Sequence, residues 1–181
     1  ENTLVVFTSV SGNTVETLSA LESASKINCK IIGFSSGGML ETFCIKNNIE
    51  YKKITKIHSP RASFLNFVYS MLKTLIFIIP IHKQEIVQSI KLLENISQKI
   101  SSTNLSDTNP SIDLANWIDG TPVIYYPWGL ETAAIRFKNS LQENVKTHAI
   151  IEDVIESSHN GIVSWEKKSQ MVPILIEGVD D

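Results

Sequence analysis

Cysteine, clustered basic residues and long uncharged apolar runs are what this 181-residue chain has little of. Its two cysteines, Cys29 and Cys44, have neither the spacing of metal ligands nor the density of a disulfide-stapled secreted domain. A reducing, cytoplasmic setting is therefore expected, with both thiols packed among apolar neighbours. Lysine and arginine together number 16 against 19 aspartates and glutamates, a net charge of −3, and no basic cluster stands out. That balance argues against a nucleic-acid surface and for a small partner. The segment closest to a membrane span, 64–81, carries Lys73 near its middle and Pro80 at its end and lacks an aromatic belt with basic flanks. It reads instead as an apolar helix buried between lobes or subunits. The chain opens on an apolar strand with no sign of a signal peptide. His58, His82 and His148 share no ligand spacing with each other or with the cysteines, so no metal site is expected.

What the sequence does have is apolar material, 43% of it hydrophobic and 19% charged, enough for one substantial core or two small lobes. The stretch around which the rest is organised runs from Leu4 to Thr17, where an apolar run breaks into hydroxyls and one glycine before turning amphipathic. Strand, loop and helix are the reading. Gly12 allows close backbone approach, and Ser9, Ser11 and Thr14 set three short hydroxyls near amides unpaired at a helix start, a cradle suited to phosphate. A simple helix cap from Ser11 or Thr14 accounts for the same spacing.

The theme recurs. Lys30 to Phe34 is an apolar strand, Ser35-Ser36-Gly37-Gly38 a second hydroxyl and glycine loop, and Met39 to Asn47 a helix. Two such units predict a parallel sheet with loops gathered at the carboxyl ends of its strands, where ligands bind. Tyr51 to Ile57 reads as a third strand, broken by His58-Ser59-Pro60-Arg61. Ile86, Ile90, Leu93, Ile96 and Ile100 recur at helical spacing over 83–100, and the polar stretch 101–110 reads as a loop or linker. A second parallel unit then starts: a short helix over 113–117, strands at 121–126, 148–151 and 172–176, a helix from Leu130 to about Asn144, and a polar run over 152–160 containing His159. The abrupt ends, Glu1 ahead of a strand and Gly178 to Asp181 just after one, read as those of a piece of a longer protein.

Five blocks give the chain a family resemblance: SVSGNTVET over 9–17, SSGG over 35–38, PRAS over 60–63, AAIRFKNSLQENVK over 133–146 and HNGIVSW over 159–165. In their order and rough spacing the sequence resembles the sugar isomerase (SIS) superfamily, and within it the bifunctional phosphoglucose/phosphomannose isomerases. The resemblance implies a flavodoxin-like three-layer αβα fold of the SIS type, with parallel sheets and two subdomains. Residues 1–60 would be the latter part of the first subdomain, 61–110 a helical connection and linker, and 111–181 the second subdomain, incomplete at its C-terminus. It also implies a cytoplasmic homodimer that takes a sugar phosphate, needs no cofactor or metal, and binds neither nucleic acid nor membrane. The implied reaction interconverts glucose 6-phosphate or mannose 6-phosphate with fructose 6-phosphate.

Carried over position by position, the resemblance gives Ser9, Ser11 and Thr14 the phosphate and Glu143 the proton moved between C1 and C2. Arg61 receives the enediolate and His159 the ring opening. Gly12, Asn13, Ser35 and Ser36 become candidates for sugar or loop contacts. The residue types suit these tasks: a carboxylate serves as base and then acid, a guanidinium keeps its charge beside an oxyanion, and imidazole trades protons near neutral pH. Taken alone, Glu143 reads as a solvated surface charge beside Lys146, Arg61 as a surface ion-pair partner and His159 as a loop histidine.

Three positions depart from the family pattern: Met39 stands for a lysine, Ser59 for a glutamine and Gly161 for a glutamate. The family's preceding glycine-rich loop and its C-terminal helix are also missing from the blocks present. A non-catalytic SIS module that binds a sugar phosphate as a regulatory ligand, and an SIS isomerase for another sugar phosphate, share the cradle and remain alternatives.

Overall fold

The computed structural model describes residues 3–178; of the chain ends read above, Glu1 and the tail beyond Gly178 lie outside them. The chain forms two compact units, Glu1–Leu93 and Glu94–Asp181. In the first, strands β1 (Leu4–Ser9), β2 (Lys30–Ser35) and β3 (Glu50–Lys53) form a parallel sheet in the order β1-β2-β3. Helices α1 (Val15–Ala24) and α2 (Gly38–Lys46) make the crossovers, and α3 (Phe64–Leu75) follows the sheet.

The near-continuous apolar runs in β1 and β2 have a direct cause, since a parallel sheet is covered on both faces. Val5, Phe7 and Ile31 on one face pack with Leu18, Leu21 and Ala24 of α1 and with Leu40, Phe43 and Cys44 of α2, positions three and four apart on each helix. Val6, Ile32 and Phe34 on the other face pack with Ile54 and with Phe67 and Met71 of α3. These are the layers the resemblance implies, helix, sheet and helix.

Both thiols are free: Cys44 is buried in α2, while Cys29 is half-buried just ahead of β2. Desolvation pushes the Cys44 thiol above its ordinary range.

The third strand is shorter than the apolar pattern over 51–57 implied. β2 ends at Ser35, whose register partner is Lys53, and after the amide of Ile54 donates to the Ser35 carbonyl oxygen at 2.8 Å there is no further backbone to pair with. The apolar segment over 64–81 is likewise not one helix: α3 stops at Leu75, and Phe77 and Ile78 stand 97% and 69% exposed in the turns before α4 (Lys83–Lys99). No helix of the described residues is long and apolar enough to cross a membrane.

In the second unit, α5 (Pro110–Trp117) leads into β4 (Thr121–Tyr126), the centre of a parallel sheet ordered β5-β4-β6, with β5 at Ile150–Asp153 and β6 at Met171–Leu175. Helix α6 (Glu131–Ser140) covers one face, where Ala134, Phe137 and Leu141 pack with Ile124, Ile151 and Ile174. Several boundaries differ from the sequence pattern: α5 starts at Pro110, ahead of the expected 113, β6 lies one residue ahead of 172–176, and two larger differences have a visible cause. The helix expected to run to Asn144 changes to a π-helical turn over Leu141–Val145, closed by Lys146 in the left-handed region at φ 63°. The strand expected at 148–151 lies at 150–153, because Asp153 both ends it and caps the next helix, α7 (Val154–His159): its Oδ1 accepts from the amides of Ile155 and Glu156 at 2.8 and 3.1 Å. The polar run over 152–160 is thus largely strand end and helix.

Candidate functional site

Ser9 and Ser35 are register partners at the carboxyl ends of β1 and β2, so the two hydroxyl loops start side by side. In the first loop Ser9 is buried, and its Oγ accepts from the Gly12 amide at 3.0 Å and lies 2.8 Å from Thr14 Oγ1. The Ser11 Oγ accepts from the Asn13 amide at 3.2 Å. Ser11 and Thr14 are exposed.

This arrangement separates the cradle from the cap. Thr14 occupies the N-cap of α1 without a side-chain cap bond, its hydroxyl being turned to Ser9 instead. The Ser11 hydroxyl is spent on a local turn in which it only accepts. The start of α1 therefore keeps its positive pole without a side-chain cap, beside the exposed hydroxyls of Ser11 and Thr14, and the Ser11 hydroxyl, which only accepts in its turn, has a proton to donate.

The second loop interlocks with the first. The amides of Ser36 and Leu40 donate to the carbonyl oxygens of Val10 and Gly12 at 3.0 and 2.9 Å, and the Asn13 side chain accepts from the Met39 amide at 2.9 Å. Asn13 thus supplies the capping acceptor at the start of α2. Gly12 has φ +70°, and a Cβ there would overlap the Gly37 carbonyl oxygen; one on Gly38, at φ +78°, would overlap that of Ser11. Both glycines are required by close approach as well as by dihedral. Ser35 is fully buried, its hydroxyl donating to the Gly37 carbonyl oxygen at 2.8 Å. Ser36 is half-buried and donates its hydroxyl to the Val10 carbonyl oxygen.

The remaining expected residues lie elsewhere in sequence and fold. Arg61 is exposed on the 3-10 turn Pro60–Ser63 of the first unit, anchored by the buried Ser63, whose hydroxyl donates to the Ser59 carbonyl oxygen at 3.4 Å. Glu143 belongs to the second unit, exposed within the π-helical turn, where the Lys146 ammonium donates to its backbone carbonyl oxygen at 2.6 Å. Single π turns inside helices recur at functional sites because they push one residue out of the regular ladder. His159 ends α7 and is exposed. The neighbouring Gly161 is crowded: a Cβ would come within 3.1 Å of Ser157 Cβ and 3.2 Å of Glu152 Oε2. The glutamate that the family carries at this position would meet a carboxylate already there. Among the described residues no group of three or more His, Cys, Asp or Glu could hold a metal ion.

Residues 107–181 match the family model for the bacterial phospho-glucose isomerase C-terminal SIS domain. Over those residues the chain is similar to SIS domains of the phosphoglucose isomerase type. By sequence it is related to the bifunctional phosphoglucose/phosphomannose isomerases over nearly its whole length: it is 32% identical to that of Caldicellulosiruptor bescii over 177 residues, 94% of this chain and 51% of the relative. It is also 32% identical over 180 residues to a D-glucosamine-6-phosphate 4-epimerase from Sulfolobus acidocaldarius, 96% of this chain and 55% of the relative. The chain thus spans about half the length of the curated relatives it matches. Among solved structures, tagatose-6-phosphate ketose/aldose isomerase from Escherichia coli has the same fold, with a TM-score of 0.64 at 15% identity over 97% of this chain and 48% of that one.

Proposed function

We propose that this chain is part of a sugar-phosphate aldose-ketose isomerase that interconverts glucose 6-phosphate, and mannose 6-phosphate, with fructose 6-phosphate through an enediolate. The observation that carries the reading is the uncapped start of α1 with Ser11 and Thr14 exposed beside it, in a chain whose relatives carry isomerase names. Ser11, Thr14 and the first amides of α1 hold the phosphate, with Ser9 orienting Thr14 from behind. Glu143 removes the proton from C2 of the open aldose and returns it to C1. The negative charge that develops on oxygen is met by Arg61, whose guanidinium stays protonated throughout. His159 passes the proton that opens the ring.

The reading includes the two-subdomain arrangement, with residues 1–60 as the end of the first SIS subdomain and 111–181 as the second, in a cytoplasmic homodimer. Helix α4 contains no buried residue, and its Val87, Ile90 and Ile96 are exposed, as an element awaiting an apolar partner would be. A second reading, an SIS enzyme acting on another sugar phosphate, is favoured by the similarity to a relative named as an epimerase of D-glucosamine 6-phosphate.

The test is a panel of hexose and hexosamine 6-phosphates incubated with the full-length protein, with products identified by NMR. Formation of an aldose 6-phosphate from fructose 6-phosphate supports the proposal, and turnover confined to an amino sugar favours the second reading. Within the same assay, Ser11→Ala is expected to raise KM about tenfold or more, the worth of one hydrogen bond to a charged group, with kcat held. An unchanged KM would reduce the Ser11 hydroxyl to its turn with the Asn13 amide.

A further inference from the structure

Tyr51 has no part in the roles assigned above, yet its hydroxyl stands at the root of the second loop. The residue lies on β3 opposite Gly33 of β2. A Cβ on Gly33 would sit 2.9 Å from both Leu40 Cδ2 and Cys44 Sγ and 3.5 Å from Tyr51 Cδ2, so the absent side chain makes room for Leu40 and Cys44 and leaves the tyrosine ring beside the glycine at contact distance. From there the phenol reaches two residues along β2. It donates to the Ser35 carbonyl oxygen at 3.0 Å and lies 3.0 Å from Ser35 Oγ, which in turn donates to the Gly37 carbonyl oxygen at 2.8 Å. The Gly37 amide donates back to Ser35 Oγ at 3.3 Å.

Two hydroxyl protons therefore serve three contacts, and the whole set is half-buried or buried. Burial pushes the phenol above its ordinary range, so it stays protonated and able to donate. The Gly37 carbonyl oxygen that the set holds is the same atom that faces Gly12, and Gly38 packs on Ser11 and Asn13. A continuous path runs from the phenol through Ser35 and Gly37 to the loop that bears Ser11 and Thr14.

We propose that Tyr51 is a positioning residue for the anion cradle, fixing the second loop through Ser35 so that the first loop keeps its binding conformation. The inference rests on the phosphate-cradle reading of the first loop. Its effect should appear in ligand affinity beyond what any loss of stability explains. A tyrosine that merely filled the space over Gly33 would not behave in this way, because phenylalanine fills the same space.

The experiment is titration of inorganic phosphate, followed by ³¹P NMR, into the wild-type chain, Tyr51→Phe, Ser35→Ala, the double variant and Leu21→Ala, with thermal unfolding measured for each. Leu21 is fully buried in the same unit's core, in an apolar cluster that contains no residue of 9–14 or 35–38, so Leu21→Ala controls for stability. Tyr51→Phe is expected to weaken phosphate binding about three- to tenfold, the worth of one hydrogen bond. The double variant should lose less than the two single losses combined, because the Ser35 hydroxyl and the phenol share one path, while the phenol's bond to the residue 35 carbonyl oxygen survives in Ser35→Ala. Leu21→Ala should unfold at lower temperature and bind phosphate as wild type does. If Tyr51→Phe does not fold, Ser35→Ala reads the same path from its other end, with the same expected loss. Wild-type affinity in these variants, or losses that simply follow the unfolding temperature as in Leu21→Ala, overturns the inference and leaves the cradle standing. A wild-type chain that binds no phosphate overturns the cradle reading itself, and the inference with it.

Discussion

Glu143→Gln should lower kcat for fructose 6-phosphate at least about a hundredfold, the lower end for loss of a general acid–base group, while leaving KM within about twofold. The amide has the shape of the carboxylate and can still accept a hydrogen bond, but it cannot take a proton from carbon. A fall in kcat of this kind corresponds to about 3 kcal/mol of transition-state stabilisation. Steady-state kinetics with circular dichroism on the same samples check it. Turnover near that of wild type would remove Glu143 from the role of base.

Gly12→Ala is expected to have the second large effect, and through structure instead of chemistry. At φ +70° any L side chain is strained, by about 1–2 kcal/mol. The new methyl would also overlap the Gly37 carbonyl oxygen, which belongs to the backbone and is held by Ser35, so it cannot swing aside as a side-chain tip would. Forcing the loops apart adds about 1–3 kcal/mol, the usual cost of overpacking. The first unit should unfold at a clearly lower temperature, and phosphate affinity should fall about tenfold or more as Ser11 and Thr14 lose their relation to α1. Thermal unfolding and phosphate titration check both parts. A variant with unchanged stability and unchanged affinity would contradict the interlocking of the two loops.

The first unit was largely legible in the sequence. An apolar run that breaks at hydroxyls and glycine before an amphipathic stretch can hardly be anything but strand, loop and helix, and its repetition over 30–46 announces a parallel sheet. The third strand was overread because Ile54 and Ile57 continue the apolar pattern after the pairing has ended; strand length depends on the partner, and β2 stops at Ser35. The π turn at Leu141–Val145 was illegible for a different reason, since adding one residue to a helical turn leaves the apolar spacing almost unchanged. Asp153 was read as part of a polar run, although an aspartate three residues ahead of a glutamate is a recognisable helix start.

Within the candidate site, residue types were readable and partners were not. The glycine and hydroxyls of 9–14 suit an anion cradle and a simple helix cap alike, and whether Thr14 caps the helix or turns to Ser9 depends on a side-chain rotamer. The link from Tyr51 to Ser35 spans 16 residues and exists only because β3 pairs with β2 in one register, with Gly33 opposite the ring. Long-range pairings of that sort leave no trace in local composition.

The measurement that tests the proposed isomerisation most directly is solvent deuterium exchange into fructose 6-phosphate, followed by NMR, with the full-length protein and a metal chelator present. The account predicts exchange at C1 together with the appearance of an aldose 6-phosphate. Saturable binding of the sugar phosphate with no exchange would contradict it.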